Sequence, residues 1–382
     1  MPHSLSQRLI AIDALRGLVM LLMLLDHVRE TFFLHQQVSD PIDVTSTDPL
    51  LFLMRTLAHL CAPTFVFLTG LSAMLYHQKV QDRRLTSLFL FKRGLVLILL
   101  ELVLVNFGWT FQFPPQVIYL QVIWALGLSM LALAALLWLP ETVLLAVALA
   151  IVAGHNLLDP IVLSTETPLG MLWAVLHQRG WIELGESLRM RTSYPVLPWI
   201  GTIALGYLAG LLYRPPVAAD KRVNALRLLS LATLLLFFGL RFLNGYGEKP
   251  WQPGENVTQT MMSFFNLTKY PPSLLFLCLT VSIALALLAA FERLQQHRSM
   301  VLLAQFGGAP MFMYLLHLYL LKAMYLGALA VWGKNHGDGF GFNEVWQVAA
   351  GAVVLGVIIF WPVRAFAAFK ARRRDIPWLK YF

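Results

Sequence analysis

The chain has 382 residues, of which 58% are hydrophobic and only 13% are charged. Soluble domains carry about 25% charged residues, and the apolar residues here occur in blocks of about 20, the length that crosses a hydrocarbon core, so an ordinary soluble domain is excluded. The net charge of +9 comes from Lys and Arg residues that cluster in alternate loops, a pattern typical of membrane topology and not of a nucleic-acid-binding patch.

About ten apolar segments are predicted as membrane-spanning helices, which makes the fold an all-α, polytopic transmembrane bundle. In chain order they cover 9–34, 50–76, 87–108, 116–139, 142–158, 195–213, 225–245, 271–291, 309–331 and 345–368. We expect a single integral-membrane domain over residues 1–382. The stretch 166–192 is too polar to span and is predicted as an amphipathic helix or re-entrant segment at the outer surface.

The first segment begins like a signal peptide, with Arg8 before an apolar run. Asp13 and Arg16 interrupt that run and no small-residue cleavage site follows, so we expect a retained first helix.

Loop charges predict the orientation of the bundle. Lys and Arg are frequent in the connections 77–93 and 214–227 and in the C-terminal tail, whereas 35–49 carries three Asp and no Lys or Arg. Because basic loops remain in the cytoplasm, both termini are predicted to be cytoplasmic. The loops 159–194 and 244–270 then face outside.

The first predicted helix carries ionisable groups along one stripe. Arg16 and His27 are eleven residues apart, which is three helical turns plus about 20°, so both side chains point the same way, separated by about 16 Å along the axis. Charged groups are expensive in a bilayer and usually mark function. Asp26 lies about 80° from this stripe and is open to either a direct or an orienting role.

Further polar groups occur in apolar surroundings. Arg55 and His59 form an i, i+4 pair on the second helix, and each could instead reach the interface. His317 has a structural alternative as a hydrogen-bonding link between helices. Cys61 and Cys278 lie in apolar segments without metal-ligand spacing, so no metal site is predicted.

The motif "DALRGLVMLLMLLDH" resembles the first-helix signature of the transmembrane acyltransferases, in which ten residues separate an Arg from a His. The acyltransferase-3 branch shares this spacing and an "F-x-x-S-G"-like element, which "FLTG" matches with Thr69 in place of Ser, followed by Gly70. The chain is more similar to bacterial membrane proteins like heparan-α-glucosaminide N-acetyltransferase. That likeness includes "IDALRG", "DHVRE", "HLCAPTFVFLTG", "KRGLVLILLELVLVNFGW", "KYPPSLLF" and "MFMYLLHLYLL".

The resemblance implies a bacterial inner-membrane enzyme of the multi-pass type, which would modify glycans. It would move an acetyl or short acyl group from cytoplasmic acetyl-CoA to an N- or O-acceptor on a sugar or glycan at the outer face. His27 would act as base or acyl carrier, with Asp26 and His59 beside it, and Arg16 would hold the donor. A rival catalytic histidine is His35, because the active His of the eukaryotic enzyme follows the first helix at a greater distance. The other expected donor- or substrate-binding residues are Arg55, Thr69, Gly70, Tyr194, Lys269, Tyr270 and His317.

Two other functions remain open from the sequence. A solute or proton-coupled transporter could use the same charges as a pathway, although no pair of Gly- or Pro-broken helices recurs in two halves of the chain. A catalytically silent scaffold would bind no acyl donor. The identity of the acceptor also stays open, as does the choice between direct transfer and an acyl-enzyme intermediate. The small-residue stretch "GYLAG" at 206–210, if exposed, would permit a homodimer.

Overall fold

The computed structural model describes residues 3–36, 38–373, 375–376 and 378–379, and they are mostly helical. The α-helices are α1 (His3–Phe32), α2 (Pro49–Ala58), α3 (Cys61–Val80), α4 (Arg83–Leu100), α5 (Asn106–Thr110), α6 (Val122–Leu136), α7 (Glu141–Gly154), α8 (Pro168–Leu176), α9 (Leu197–Ala209), α10 (Ala219–Leu243), α11 (Val257–Phe265), α12 (Leu274–Leu294), α13 (Arg298–Gly307), α14 (Pro310–Trp332) and α15 (Val345–Arg372). A π-helical turn (Glu101–Val105) joins α4 to α5, and 3₁₀ turns follow α7 (His155–Leu158) and α9 (Gly210–Tyr213). The strands are β1 (Val117–Leu120), β2 (Trp181–Glu183) and β3 (Arg189–Thr192).

Within the described residues, six helical segments are long and apolar enough to cross a membrane. They are Pro49–Val80, Glu141–Leu158, Ala219–Leu243, Leu274–Leu294, Pro310–Trp332 and Val345–Arg372. Each of the other predicted spans coincides at least partly with a helix. The helix α1 is about 45 Å long at 1.5 Å per residue, but its many charged residues keep it out of this set of six. A multi-pass membrane protein is therefore confirmed, while ten spans and cytoplasmic termini stay predictions.

A small sheet departs from the all-α expectation. The predicted span 116–139 is wrong at its start, because Val117–Leu120 is a strand and the helix begins only at Val122. Asn106 stabilises that strand, since its side chain donates to the Val117 carbonyl and accepts from the Tyr119 amide. The stretch 166–192 contains the short helix α8, as expected, but then forms β2 and β3. In the sheet order β1-β3-β2, β3 is parallel to β1 and antiparallel to β2.

Contacts divide the chain into two compact units. The first unit contains Met1–Cys61, Gln252–Asn266 and Ala286–Phe382, and the second contains Ala62–Trp251 and Leu267–Leu285. The prediction of a single domain over 1–382 stays a prediction.

In the first unit, α1 contacts α2, α13, α14 and α15. The closest approach is between α1 and α13, where a Cβ atom on Gly17 would lie 1.9 Å from the Leu303 carbonyl oxygen. On the facing helix, a Cβ atom on Gly307 would lie 1.8 Å from the Asp13 carbonyl oxygen. The two backbones therefore touch, as small residues allow in membrane helices. This contact fixes the N-terminal half of α1.

In the second unit, α6 packs against α4 and α9, and α9 also packs against α7. The expectation that "GYLAG" is an exposed face is wrong. Gly206 and Gly210 are buried, against the Phe67 backbone and the Met74 side chain respectively. This stripe of small residues is used for packing inside the unit, so it no longer supports a homodimer.

We expect Gly17→Ala to destabilise the protein by about 1–3 kcal/mol or more, because its new methyl group would collide with backbone atoms of α13 that cannot rotate away. The matched control is Gly327→Ala on α14, where a Cβ atom would meet nothing within 4 Å. Thermal unfolding of the detergent-purified variants measures both. Equal unfolding midpoints for the two variants would contradict the close contact between α1 and α13.

Candidate active site

The helix α1 carries the predicted stripe as one continuous helix. Arg16 and His27 both lie within it and both are half-buried, so their common face and their axial separation of about 16 Å follow from helix geometry. Arg16 forms an ion pair with Asp13 one turn earlier, at 2.8 Å between Nη1 and Oδ1. The cation at this end of the stripe is thus held by a carboxylate of its own helix.

At the other end of α1, Asp26 is the centre of a buried charge network. Nη1 of Arg55 donates to both of its carboxylate oxygens, at 2.8 and 2.7 Å, and Nε and Nη2 of Arg29 donate to Oδ1 at 3.1 and 2.9 Å. Glu30 accepts from Arg29 at 3.2 Å. Asp26, Arg29 and Arg55 are each at most 6% exposed. Two arginines against two carboxylates make the network electrically neutral, and the pair between Arg55 and Asp26 links α2 to α1.

His27 forms a hydrogen bond with a histidine 290 residues away in the chain. Its Nδ1 lies 2.5 Å from Nε2 of His317 on α14, and the two ring planes are nearly parallel, at 17°, with centroids 4.8 Å apart. The Tyr314 ring stands edge-on to both imidazoles. His317 is fully buried. Two side chains of α14, those of Tyr314 and His317, therefore hold the imidazole of His27.

The hydrogen bonds assign the tautomers of this pair. Nδ1 of His317 lies 3.0 Å from the Met313 carbonyl oxygen, which can only accept, so Nδ1 carries the proton and Nε2 of neutral His317 is an acceptor. The proton between the two rings then belongs to Nδ1 of His27. The basic lone pair of neutral His27 is consequently on Nε2, as in histidines that act as general bases.

His35, the rival histidine, lies just after α1 and is exposed. Its ring is parallel to that of His336, with centroids 3.7 Å apart and 2° between the planes. Partial desolvation by its neighbours, and then the adjacent His336, lower the pKa of this largely exposed imidazole below its ordinary value. A backbone hydrogen bond from Phe342 to Phe32 holds the loop that carries His336 against the end of α1. His35 is thus part of a second, separate imidazole pair.

The remaining candidates of the first two predicted helices, His59, Thr69 and Gly70, lie at the end of α2 and on α3. His59 is buried at the C-terminal end of α2, one turn after Arg55. Thr69 donates its hydroxyl proton to the Phe65 carbonyl of its own helix. Gly70 allows α3 to approach α9, because a Cβ atom there would lie 1.9 Å from the Ile203 carbonyl oxygen. Gly70 is therefore needed for this close packing, and its role in donor binding stays a prediction.

The predicted residues Tyr194, Lys269 and Tyr270 meet in the second unit. The two tyrosine rings are 4.8 Å apart and perpendicular, and the Lys269 ammonium lies 5.1 Å from the centroid of Tyr270. Glu248 orders this loop by accepting from Thr268 and Ser273. The arrangement is a cation held over aromatic rings, which the sequence did not predict as a cluster.

Several residues that shape these sites were missed by the sequence analysis. Arg29 pairs with Asp26, and Tyr314, Met313 and His336 contact the histidines of the two pairs. One available signal was that Met313 and Tyr314 precede His317 by four and three residues, on the same helix face.

The chain was compared with known proteins. The family model described as heparan-alpha-glucosaminide N-acetyltransferase, catalytic, matches residues 8–246. No curated protein shows a significant match. The matched range includes Arg16, His27, His35 and Arg55 but ends before α14, so His317 lies outside it.

We expect Asp26→Asn to destabilise the protein by about 3–5 kcal/mol, because it leaves two buried guanidinium groups facing a neutral amide. The matched control is Asp13→Asn, which breaks the more exposed pair with Arg16 and should cost much less. Thermal unfolding midpoints in detergent test the difference. If the two substitutions lower the midpoint equally, the buried network is not what holds this end of α1.

Proposed function

The chain belongs to the heparan-α-glucosaminide N-acetyltransferase catalytic family, and on this premise we propose that it transfers an acetyl group from acetyl-CoA to a sugar or glycan acceptor, with His27 at the transfer centre. Family membership and the apolar helices make it a membrane acetyltransferase. They argue against the transporter and the silent scaffold. The acetyl-CoA donor, the glycan acceptor and the bacterial inner membrane belong to the proposal.

The observation that carries the proposal is the hydrogen bond between His27 and His317. It directs the lone pair of Nε2 away from His317, as removal of a proton from an attacking amine or hydroxyl requires. When Nε2 takes that proton, His27 becomes positive, and its bond to neutral His317 becomes charge-assisted and stronger. His317 is therefore a positioning residue that favours the protonated state formed during the reaction.

The proposed transfer step moves one acetyl group and one proton, and no electrons are exchanged. The acceptor nitrogen or oxygen attacks the thioester carbonyl, its proton moves to Nε2 of His27, and the carbon–sulfur bond breaks. The thiolate of CoA leaves and takes up a proton. The same lone pair could instead attack the thioester first and carry the acetyl group. Release of one equivalent of CoA in the absence of acceptor would identify this second path.

The two ends of α1 have different roles in this proposal. Arg16 is offered to an anionic part of the donor, since a guanidinium binds phosphate oxygens with two parallel hydrogen bonds. When the donor binds, Arg16 would either exchange its contact with Asp13 for a contact with the donor or keep both contacts. Loop charges predict that Arg16 is in the cytoplasmic half and His27 in the outer half, which agrees with a donor and an acceptor that arrive from opposite sides.

We expect His27→Ala to lower acetyl transfer by about 10²–10⁴-fold, the usual contribution of general acid–base catalysis, while the unfolding midpoint stays near that of the wild type. Transfer of radiolabelled acetyl groups from acetyl-CoA to glucosamine by purified protein in nanodiscs measures this. His317→Gln should retain more activity than His317→Leu, because a glutamine carbonyl oxygen can still accept from Nδ1 of His27. His35→Ala is the matched control and should remain active. Full activity of folded His27→Ala, or loss confined to His35→Ala, would overturn the assignment.

We expect Arg16→Ala to weaken acetyl-CoA binding by about tenfold or more, the loss of one charge-assisted contact, whereas His27→Ala should bind as the wild type does. Isothermal titration calorimetry of the detergent-purified variants gives the dissociation constants. Unchanged binding by Arg16→Ala would remove Arg16 from the donor site. Absence of binding by stable wild-type protein would overturn acetyl-CoA as the donor.

A further inference from the structure

One face of the small sheet in the second unit concentrates positive charge beside aromatic rings. Arg189 and Arg191 are two residues apart on β3, so both side chains lie on the same face. Trp181 on β2 is directly opposite Arg191. Its ring lies 4.3 Å from the Cζ atom of Arg189 and 4.8 Å from that of Arg191. Tyr119 on β1 is opposite Arg191 on the other side. We name these four residues the cationic sheet face.

A third guanidinium stands beside this face. Arg179 precedes β2, and its Cζ atom lies 4.9 Å from the centroid of the Tyr270 ring. The pKa of Arg191 is lowered, first because Arg191 is partly buried and then because Arg179 and Arg189 are close to it, while Tyr119 acts in the opposite direction. Arg191 is therefore near enough to Arg179 and to Arg189 to be repelled by both.

Carboxylates do not neutralise these arginines. In the part of the chain that the structure describes, Arg179, Arg189 and Arg191 form no ion pair. Glu183 is opposite Arg189 in the strand register, yet it is exposed and makes no ion pair with it. This contrasts with Asp26, whose two arginines are neutralised. An anion that binds the cationic sheet face would relieve the repulsion.

The guanidinium groups lie close to aromatic rings, and this affects which anion suits them. A guanidinium held by its flat face over an aromatic ring keeps its N–H groups at the edge, directed in the plane towards a ligand. A carboxylate is satisfied by one such fork, whereas a phosphate offers three strongly accepting oxygens. Three arginines therefore match a phosphate better. The rings of Tyr119, Trp181 and Tyr270 add apolar contact area, which the C–H groups of a sugar ring can cover.

We propose that the cationic sheet face, together with Arg179, binds the phosphate group of a phosphorylated sugar. That the ligand contains a sugar rests on the function proposed above, whereas its phosphate group is inferred from the three arginines. This surface belongs to the long loops that the charge pattern assigns to the outer side, where the acceptor is expected. The phosphate can come from a soluble sugar phosphate or from a lipid-linked one, and both present the same group.

Binding of glucosamine 1-phosphate and of glucosamine, measured by calorimetry on the full chain in nanodiscs without any acetyl donor, tests the proposal. The wild type should bind the phosphate at least about tenfold more tightly than the plain sugar. Arg189→Gln combined with Arg191→Gln should lose at least that factor. Arg227→Gln, which removes an exposed arginine of α10 in the same unit, should bind as the wild type does. Arg189 is exposed, so the single variant Arg189→Gln gives the test if the double variant fails to fold.

The outcomes separate this proposal from the proposed function. His27→Ala should bind glucosamine 1-phosphate normally, so loss of transfer with retained binding leaves the phosphate site standing. Equal binding of the sugar and its phosphate, or wild-type binding by the arginine variants, would overturn it. Displacement of the sugar phosphate by an equal concentration of CoA would also overturn it, because the face would then belong to the donor. A hexadecyl phosphodiester of the same sugar that binds more tightly than the free phosphate would assign a lipid-linked ligand, and equal or weaker binding would assign a soluble one.

Discussion

Neutralisation of buried charge is the constraint on which the first unit depends. An unpaired carboxylate or guanidinium in a low-dielectric interior costs several kcal/mol. The helix α1 contains buried groups of both kinds, Asp26 and Arg29. Asp26 resolves this by accepting from Arg29 of its own helix and from Arg55 of α2, so the pairing that removes the penalty also joins α1 to α2. His27 is the next residue, and its backbone is therefore fixed by the charge network although its side chain leaves in another direction.

The chemistry proposed for His27 depends on a neutral partner as well as on charge. Its Nδ1 is held by the imidazole of His317, which is itself fixed by the Met313 carbonyl on the preceding turn of α14. A neutral acceptor orients the ring without placing a second full charge in the buried interior, which would be costly. The contact between α1 and α13 at Gly17 sets the other half of the helix, so both ends of the stripe are held by different neighbours.

Arginine side chains are accommodated in two ways. In the first unit, Arg16, Arg29 and Arg55 each have a carboxylate within hydrogen-bonding distance. In the second unit, Arg179, Arg189 and Arg191 lie close to aromatic rings instead. Their N–H groups are the ones proposed to bind a phosphate.

The sequence by itself determined the membrane class, the continuity of α1 and the common face of Arg16 and His27, because these follow from composition and from a period of 3.6 residues along one helix. The motif around these residues was also sufficient to identify the family. Only the tertiary structure decided that His317 is the partner of His27 and that Arg55 pairs with Asp26, since local spacing carries no information about which distant helix lies alongside. The strand at Val117–Leu120 was hidden for a similar reason. Its apolar residues resemble the start of a span, and their extended conformation depends on Asn106 and on the partner strand β3.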